Sequence, residues 1–344
     1  MRELRVSSVG HLDWAEARPP ALSSAHAALV RPIAVATCDF DHLIVSGAMP
    51  LPLPLSVGHE CVATVVEVGA EVRTVKVGDT VVLPYQISCG SCDACRCGHT
   101  SCCAAVPWLS CYGLGAAAGD FGGLMSDLAL VPFADAMLLA LPPGVSPADA
   151  AAAGCNIVDA YRTVGPQLLA HPGAAVLVCG GAFVNIGLYA VMLARALGAS
   201  RVDFFHPDAD VSDKAARLGA NVLESLERIE ARAYPVTVDA SMDARVLGAA
   251  IAATAPSGTC TASTMYVGDP ATGLTPLPLM SMFERCMTLT TGQPHARGLL
   301  QSVLGLIADG TCRPALVTDG IVDWEDAPSA FRAGSGKHIC TRTA

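Results

Sequence analysis

The chain has 344 residues, of which 52% are hydrophobic and 15% charged, and its 21 basic against 31 acidic side chains give a formal net charge of −10. With a mean hydropathy of +0.46 it can bury a large core, which excludes intrinsic disorder. No Lys/Arg run interrupts the negative charge, so nucleic acid and anionic membranes are not the expected partners, and a small molecule is.

The opening segment, MRELRVSSVG, lacks the apolar core of a signal peptide. A cytoplasmic, reducing setting follows as an expectation, and the 15 cysteines then read as metal ligands before they read as disulfides. Up to about residue 150, short Val, Ile and Leu runs are broken by Gly and Pro (CVATVVEVG, VGDTVVLP, LALVPF), the texture of a β-rich domain with many turns. From Asp149 onward, Ala-rich helical stretches alternate with apolar strands: AAVLVCGG, IGLYAVMLARALGA, RVDFF, a helix ending at Leu218-Gly219-Ala220, PVTVDAS and GTCTAS. That alternation predicts a parallel sheet covered by helices on both faces. The uncharged run from Ala174 to Ala194 has 21 residues, long enough to cross a hydrocarbon core of about 30 Å. Gly180, Gly181, Asn185 and Gly187 interrupt it, and no aromatic belt or basic flank accompanies it. It reads as a strand, a turn and a helix. The tail carries an amphipathic helix, GLLQSVLGLIADG, and a closing strand, KHICTRT.

Cys89, Cys92, Cys95 and Cys103 form a C-x2-C-x2-C-x7-C array in a glycine-rich loop. Four thiolates gathered by tight turns suit a closed tetrahedral structural zinc, with an iron–sulfur cluster as the lesser alternative. Cys97 and Cys102 lie in the same loop, and Cys102 is an alternative fourth ligand, although spacing favours Cys103. Three further groups are scattered: Cys38 in ATCDFDH, His59-Glu60 in VGHE, and Cys155 in AAGCNIVDAY.

Taken together, the chain resembles the zinc-containing medium-chain alcohol dehydrogenase family over essentially its whole length. The resemblance rests on Cys38-x-x-Asp41, Gly58-His59-Glu60, Val77-Gly78-Asp79, the four-cysteine array, and Cys155 with Tyr161 six residues on. It implies an α/β Rossmann domain with a doubly wound parallel sheet over residues 156–292. A β-rich, GroES-like catalytic domain is expected over 1–155 and 293–344, with the active cleft between the two. It also implies two zinc ions per chain, one structural and one catalytic on Cys38, His59 and Cys155. Asp41 would orient His59, and Glu60 would lie beside the metal, able to exchange into its coordination. The implied reaction interconverts an alcohol and an aldehyde or ketone by hydride transfer with NAD or NADP, zinc polarising the substrate oxygen. A homodimer or homotetramer is implied by the same resemblance.

Three departures from the family pattern matter. Phe40 stands where a Ser or Thr hydroxyl commonly relays the alcohol proton, leaving His42 or water for that task. The dinucleotide loop offers Gly180, Gly181 and Gly187 but places Phe183 and Val184 near the expected phosphate position. His206 occupies the end of the next strand, where an acidic residue binds ribose hydroxyls in NAD-preferring members, and Asp208 follows two residues later. These departures keep open a non-redox alternative, with zinc as a Lewis acid for elimination, cyclisation or isomerisation. Phe40, Trp108, Tyr112, Phe121 and Met125 are expected as pocket walls.

Overall fold

The computed structural model describes residues 1–266, 272, 274–334 and 336–342. Two compact units emerge: Met1–Val158, His295–Gly310 and Thr318–Ala344 form the first, and Asp159–Pro294 with Thr311–Val317 the second.

In the first unit, β1 (Arg2–Ser8) and β2 (His11–Glu16) form an antiparallel hairpin. The long strand β3 (Ala28–Ala36) ends two residues before Cys38, which caps helix α1 (Asp39–Val45). A two-residue strand, β4 (Leu55–Ser56), pairs with β1. Then β5 (Glu60–Val68) runs antiparallel to β3, followed by β6 (Thr80–Leu83), β7 (Ala129–Val131) and β8 (Leu139–Ala140). Alternating Val, Ile and Leu on these strands meet in one core that includes Leu4, Val35, Val65, Leu83, Leu124 and Phe331. The register matters for function. Pairing of Ala36 with Glu60 brings the outgoing end of β3, and so Cys38, to the start of β5, where His59 stands.

Helix α2 (Asn156–Ala170) leads into the second unit. There the strands β9 (Val176–Gly180), β10 (Val202–Phe205), β11 (Asn221–Leu223), β12 (Tyr234–Ala240), β13 (Thr254–Ala262) and β14 (Thr288–Thr291) form a wholly parallel sheet in the order β11-β10-β9-β12-β13-β14. This is the doubly wound order, with the direction of winding reversing between β9 and β12. Helices α3 (Val184–Ala196), α4 (Ala209–Arg217), α5 (Ala244–Ala253) and α6 (Leu279–Glu284) alternate with the strands. The uncharged run thus becomes β9, a turn and most of α3. Among the described residues, no helix is long and apolar enough to cross a membrane.

The chain then returns to the first unit through α7 (Ala296–Ala308), β15 (Gly320–Asp323), α8 (Ala327–Arg332) and β16 (His338–Thr341). Strand β16 pairs antiparallel with β3, which completes the order β15-β16-β3-β5-β6-β8.

Candidate active site and zinc-binding groups

Two glycines allow the metal-ligating residues to meet. Gly58, at φ +90°, supports the turn before His59, where a Cβ would lie 2.7 Å from the Met125 backbone nitrogen. Gly154 lies so close to the end of β6 that a Cβ would stand 2.0 Å from the Leu83 carbonyl oxygen. That approach delivers Cys155. The ligand atoms of Cys38, His59 and Cys155 all lie within 4.8 Å of one another. Cys38 and His59 are buried and Cys155 is half-buried.

Asp41 serves two of these groups at once. Its Oδ2 accepts the Cys38 backbone N–H at 3.1 Å, and its Oδ1 stands 3.4 Å from His59 Nδ1. The second contact is too long for a well-formed hydrogen bond, so both buried atoms remain under-satisfied. A cation held by Nε2 would fix the His59 proton on Nδ1, facing Asp41. The electrostatics also suit a cation. A hydrogen bond from Cys155 is the largest influence holding the Cys38 thiol well below its usual pKa, aided by His59 and Lys337 and opposed by burial. Burial opposes charge on His59, but Asp41 and the Cys38 thiolate outweigh it and raise its pKa well above the ordinary value. Two sulfurs and one imidazole, packed in this way and backed by a carboxylate, fit Zn²⁺ in both chemistry and number.

Behind them lies a group that the sequence did not reveal. Lys337, fully buried, donates to the Thr37 carbonyl at 2.7 Å, to Asn156 Oδ1 at 2.7 Å and to the Glu60 carboxylate. Glu60 accepts the Asn156 backbone N–H on its other oxygen, at 2.7 Å. Burial pushes the Glu60 carboxyl up to about 7, against the pull of Lys337. Desolvation disfavours the charged lysine, yet Glu60 and Cys38 raise its pKa above the usual value and keep it protonated. Glu60 is therefore paired with Lys337 and lies outside the three-ligand group.

Other expected residues fall elsewhere. Buried His42 directs Nδ1 to the Phe331 carbonyl at 3.0 Å, tying α1 to α8, and it too lies outside the ligand group. Among the expected pocket walls, Tyr112 and Met125 are corrected to core residues. Both have no exposed surface, and the Tyr112 hydroxyl donates to the Leu130 carbonyl at 2.8 Å. Trp108 is 70% exposed, while Phe40 and Phe121 pack partly buried against the core. A residue missed by sequence reasoning is Tyr85, whose ring meets His59 edge-on at a centroid distance of 6.1 Å. Its hydroxyl accepts from Gln86 Nε2 at 3.0 Å.

The second cluster comprises Cys89, Cys92, Cys95 and Cys103, whose sulfurs lie within 4.8 Å of one another, while Cys97 and Cys102 are exposed and outside the group. Backbone N–H groups converge on it: Cys89 N–H donates to Cys103 Sγ and Cys92 N–H to Cys89 Sγ, both at 3.3 Å. A closed S₄ set of this kind fits a structural zinc.

In the second unit, Gly180 ends β9 and Gly181 opens the turn that follows. A Cβ on Gly180 would lie 2.7 Å from His206 Cδ2, and one on Gly181 would lie 2.6 Å from Ser241 Cα. Gly187 falls inside α3, where a Cβ would meet Phe204 at an ordinary 3.6 Å. Phe183 is only 6% exposed, so its ring is packed into the protein. Val184, which opens α3, is half-buried. His206 Nε2 bonds to the Gly181 carbonyl and its Nδ1 accepts the Asp208 N–H, each at 3.0 Å. Asp208 caps α4, its Oδ1 accepting from the Asp210 and Val211 N–H groups.

Comparison with known proteins agrees with this geometry. Residues 24–143 match the family model of the alcohol dehydrogenase GroES-like domain. A probable alcohol dehydrogenase of Pseudomonas sp. is 31% identical over 58% of this chain and 67% of its own length. A probable zinc-binding alcohol dehydrogenase of Mycobacterium tuberculosis is 28% identical over 98% of this chain and 87% of its own. The crystallised alcohol dehydrogenase of Thermus sp. ATN1 superposes with a TM-score of 0.88 at 27% identity, covering 100% of both chains.

Proposed function

Because the chain belongs to the zinc-containing medium-chain alcohol dehydrogenase family, we propose that it interconverts a small-molecule alcohol and the corresponding aldehyde or ketone, using a nicotinamide dinucleotide. The observation that carries this reading is the meeting of Cys38, His59 and Cys155 within 4.8 Å. When bound, zinc would polarise the reacting oxygen and the nicotinamide would accept or give hydride. The protein's own contribution is positional. Asp41 orients His59, the Glu60–Lys337 pair anchors the start of α2 directly after Cys155, and Tyr85 brings a hydroxyl to the neighbourhood of His59, where Phe40 offers none. The relatives described above are dehydrogenases, which favours hydride transfer over the non-redox use of zinc.

NAD is the proposed cofactor over NADP. The segment His206–Val211 contains no Lys or Arg and two Asp, so a 2′-phosphate near it would meet carboxylates and no cation. Calorimetric titration with NADH and NADPH tests this reading. Saturable NADH binding that exceeds NADPH binding is expected, and no saturable binding of either up to millimolar concentration would sink the redox assignment.

The reading extends to a cytoplasmic homo-oligomer. None of the 15 cysteines is paired in a disulfide, which suits a reducing compartment. Edge strand β14 follows α6, on which Leu279, Met280 and Phe283 are 66%, 71% and 80% exposed. An apolar face next to an open sheet edge supports self-association.

A further inference from the structure

Asn156 directly follows the ligand Cys155, is fully buried, and has both polar atoms of its side chain and its backbone N–H engaged. Its Oδ1 accepts from Lys337 Nζ at 2.7 Å. Its Nδ2 donates to Cys38 Sγ at 3.2 Å and lies 3.8 Å from Cys155 Sγ. The amide can face only this way, since an ammonium has nothing but donors and a thiolate nothing but lone pairs.

We propose that Asn156 is a positioning residue that tunes the catalytic metal, its amide passing the field of Lys337 to the Cys38 thiolate through an N–H···S hydrogen bond. The inference rests on the reading that Cys38, His59 and Cys155 hold zinc. Two thiolates and an imidazole cancel the charge of a divalent cation, which leaves it a weaker electrophile than an all-histidine set would. A hydrogen bond to one of those thiolates withdraws part of the electron density that the sulfur gives the metal. The lysine behind the amide strengthens that bond by polarising the donor. No other side chain of this size supplies an acceptor on one side and a donor on the other. Aspartate would set a carboxylate against two thiolates, and leucine would leave both Lys337 and the sulfur short of a partner.

A merely structural role, holding the start of α2 after Cys155, makes a different forecast. The backbone bond from Asn156 to Glu60 survives substitution by leucine or alanine, whereas the side-chain N–H does not. The test exchanges zinc for Co²⁺ in the full chain and records the thiolate-to-cobalt charge-transfer bands, with Cys38→Ser identifying those of this site. Asn156→Leu is expected to move them to longer wavelength, because a sulfur without its hydrogen bond gives up charge more readily. Should the leucine variant fail to fold, Asn156→Ala is expected to shift the bands in the same direction by less, since water can enter the space. Unmoved bands in a folded, cobalt-loaded variant would overturn the role of Asn156 alone. Failure of the unaltered chain to take up cobalt on Cys38, His59 and Cys155 would overturn the zinc reading, and this inference with it.

Discussion

Lys337 and Glu60 form an ion pair from which water is wholly excluded, both side chains having no exposed surface. Glu60 follows the ligand His59 at the start of β5, and Lys337 immediately precedes β16. The pair therefore fastens the C-terminal segment of the chain to the metal-binding end of the first unit.

Removing one member of such a pair leaves a bare charge in a medium that cannot solvate it. Lys337→Met is expected to lower unfolding stability by about 3–5 kcal/mol. The double variant Lys337→Met/Glu60→Gln should recover much of that loss, because no charge is then stranded. Urea unfolding of the two single variants, the double variant and the unaltered chain forms a complete cycle. Equal losses in Lys337→Met and in the double variant would contradict the pairing argument.

The same pair shows where sequence reasoning ends. Cys38, His59 and Cys155 are each weak signals taken singly and are joined into one ligand set only by the family resemblance, whereas the four-cysteine loop is read from spacing alone. Lys337 forms its contact across a separation of 277 residues, and a lone lysine before a strand is indistinguishable in sequence from a solvated one. Side-chain direction was hidden for a related reason. Aromatic character predicts that Tyr112 and Phe183 are apolar contacts, but only the packed structure decides that both face inward. The strand and helix alternation of the second unit was legible because burial on both faces demands continuous apolar runs.

The two cysteine groups lead to a metal count. Elemental analysis is expected to find two zinc ions per chain, falling to one in Cys92→Ser and to one in Cys38→Ser. The first loss should bring the larger fall in thermal stability, since a closed four-thiolate site organises a loop with little apolar core of its own. Two zinc ions retained in Cys92→Ser would remove the structural assignment.

Arg285 gives the second unit a buried cation with carbonyl partners. Its guanidinium donates to the carbonyls of Ile251 at 2.8 Å, Ala252 at 3.3 Å and Thr254 at 2.6 Å, and so satisfies the carboxyl end of α5. Arg285→Ala strands those acceptors and is expected to cost roughly 2–4 kcal/mol. Arg285→Lys should recover only part, since an ammonium can replace Nη1 at these carbonyls but not also the Nε and Nη2 bonds of the planar fork to the Ser281 carbonyl and hydroxyl, at 2.9 and 3.2 Å. Denaturant midpoints of the two variants decide it, and full recovery by lysine would argue against the fork.

Asp239, at the end of β12, sets a pH dependence whose sign is fixed. Burial pushes its carboxyl up to about 7, against hydrogen bonds from Ser241. The Ser241 hydroxyl donates to Oδ1 at 2.8 Å, while Oδ2 has no partner among the described residues. In the unfolded chain an aspartate titrates near about 4. Between about pH 4 and pH 7 the folded protein thus holds a proton that the unfolded chain has lost. Its contribution to stability is complete below that window, falls as pH rises through it, and is constant above. Asparagine cannot titrate. Relative to Asp239→Asn, the unaltered protein should lose about 2–3 kcal/mol of stability between pH 5 and pH 8. Urea unfolding of both proteins at the two pH values measures the difference directly, and parallel pH profiles would show that Asp239 titrates as an ordinary carboxylate.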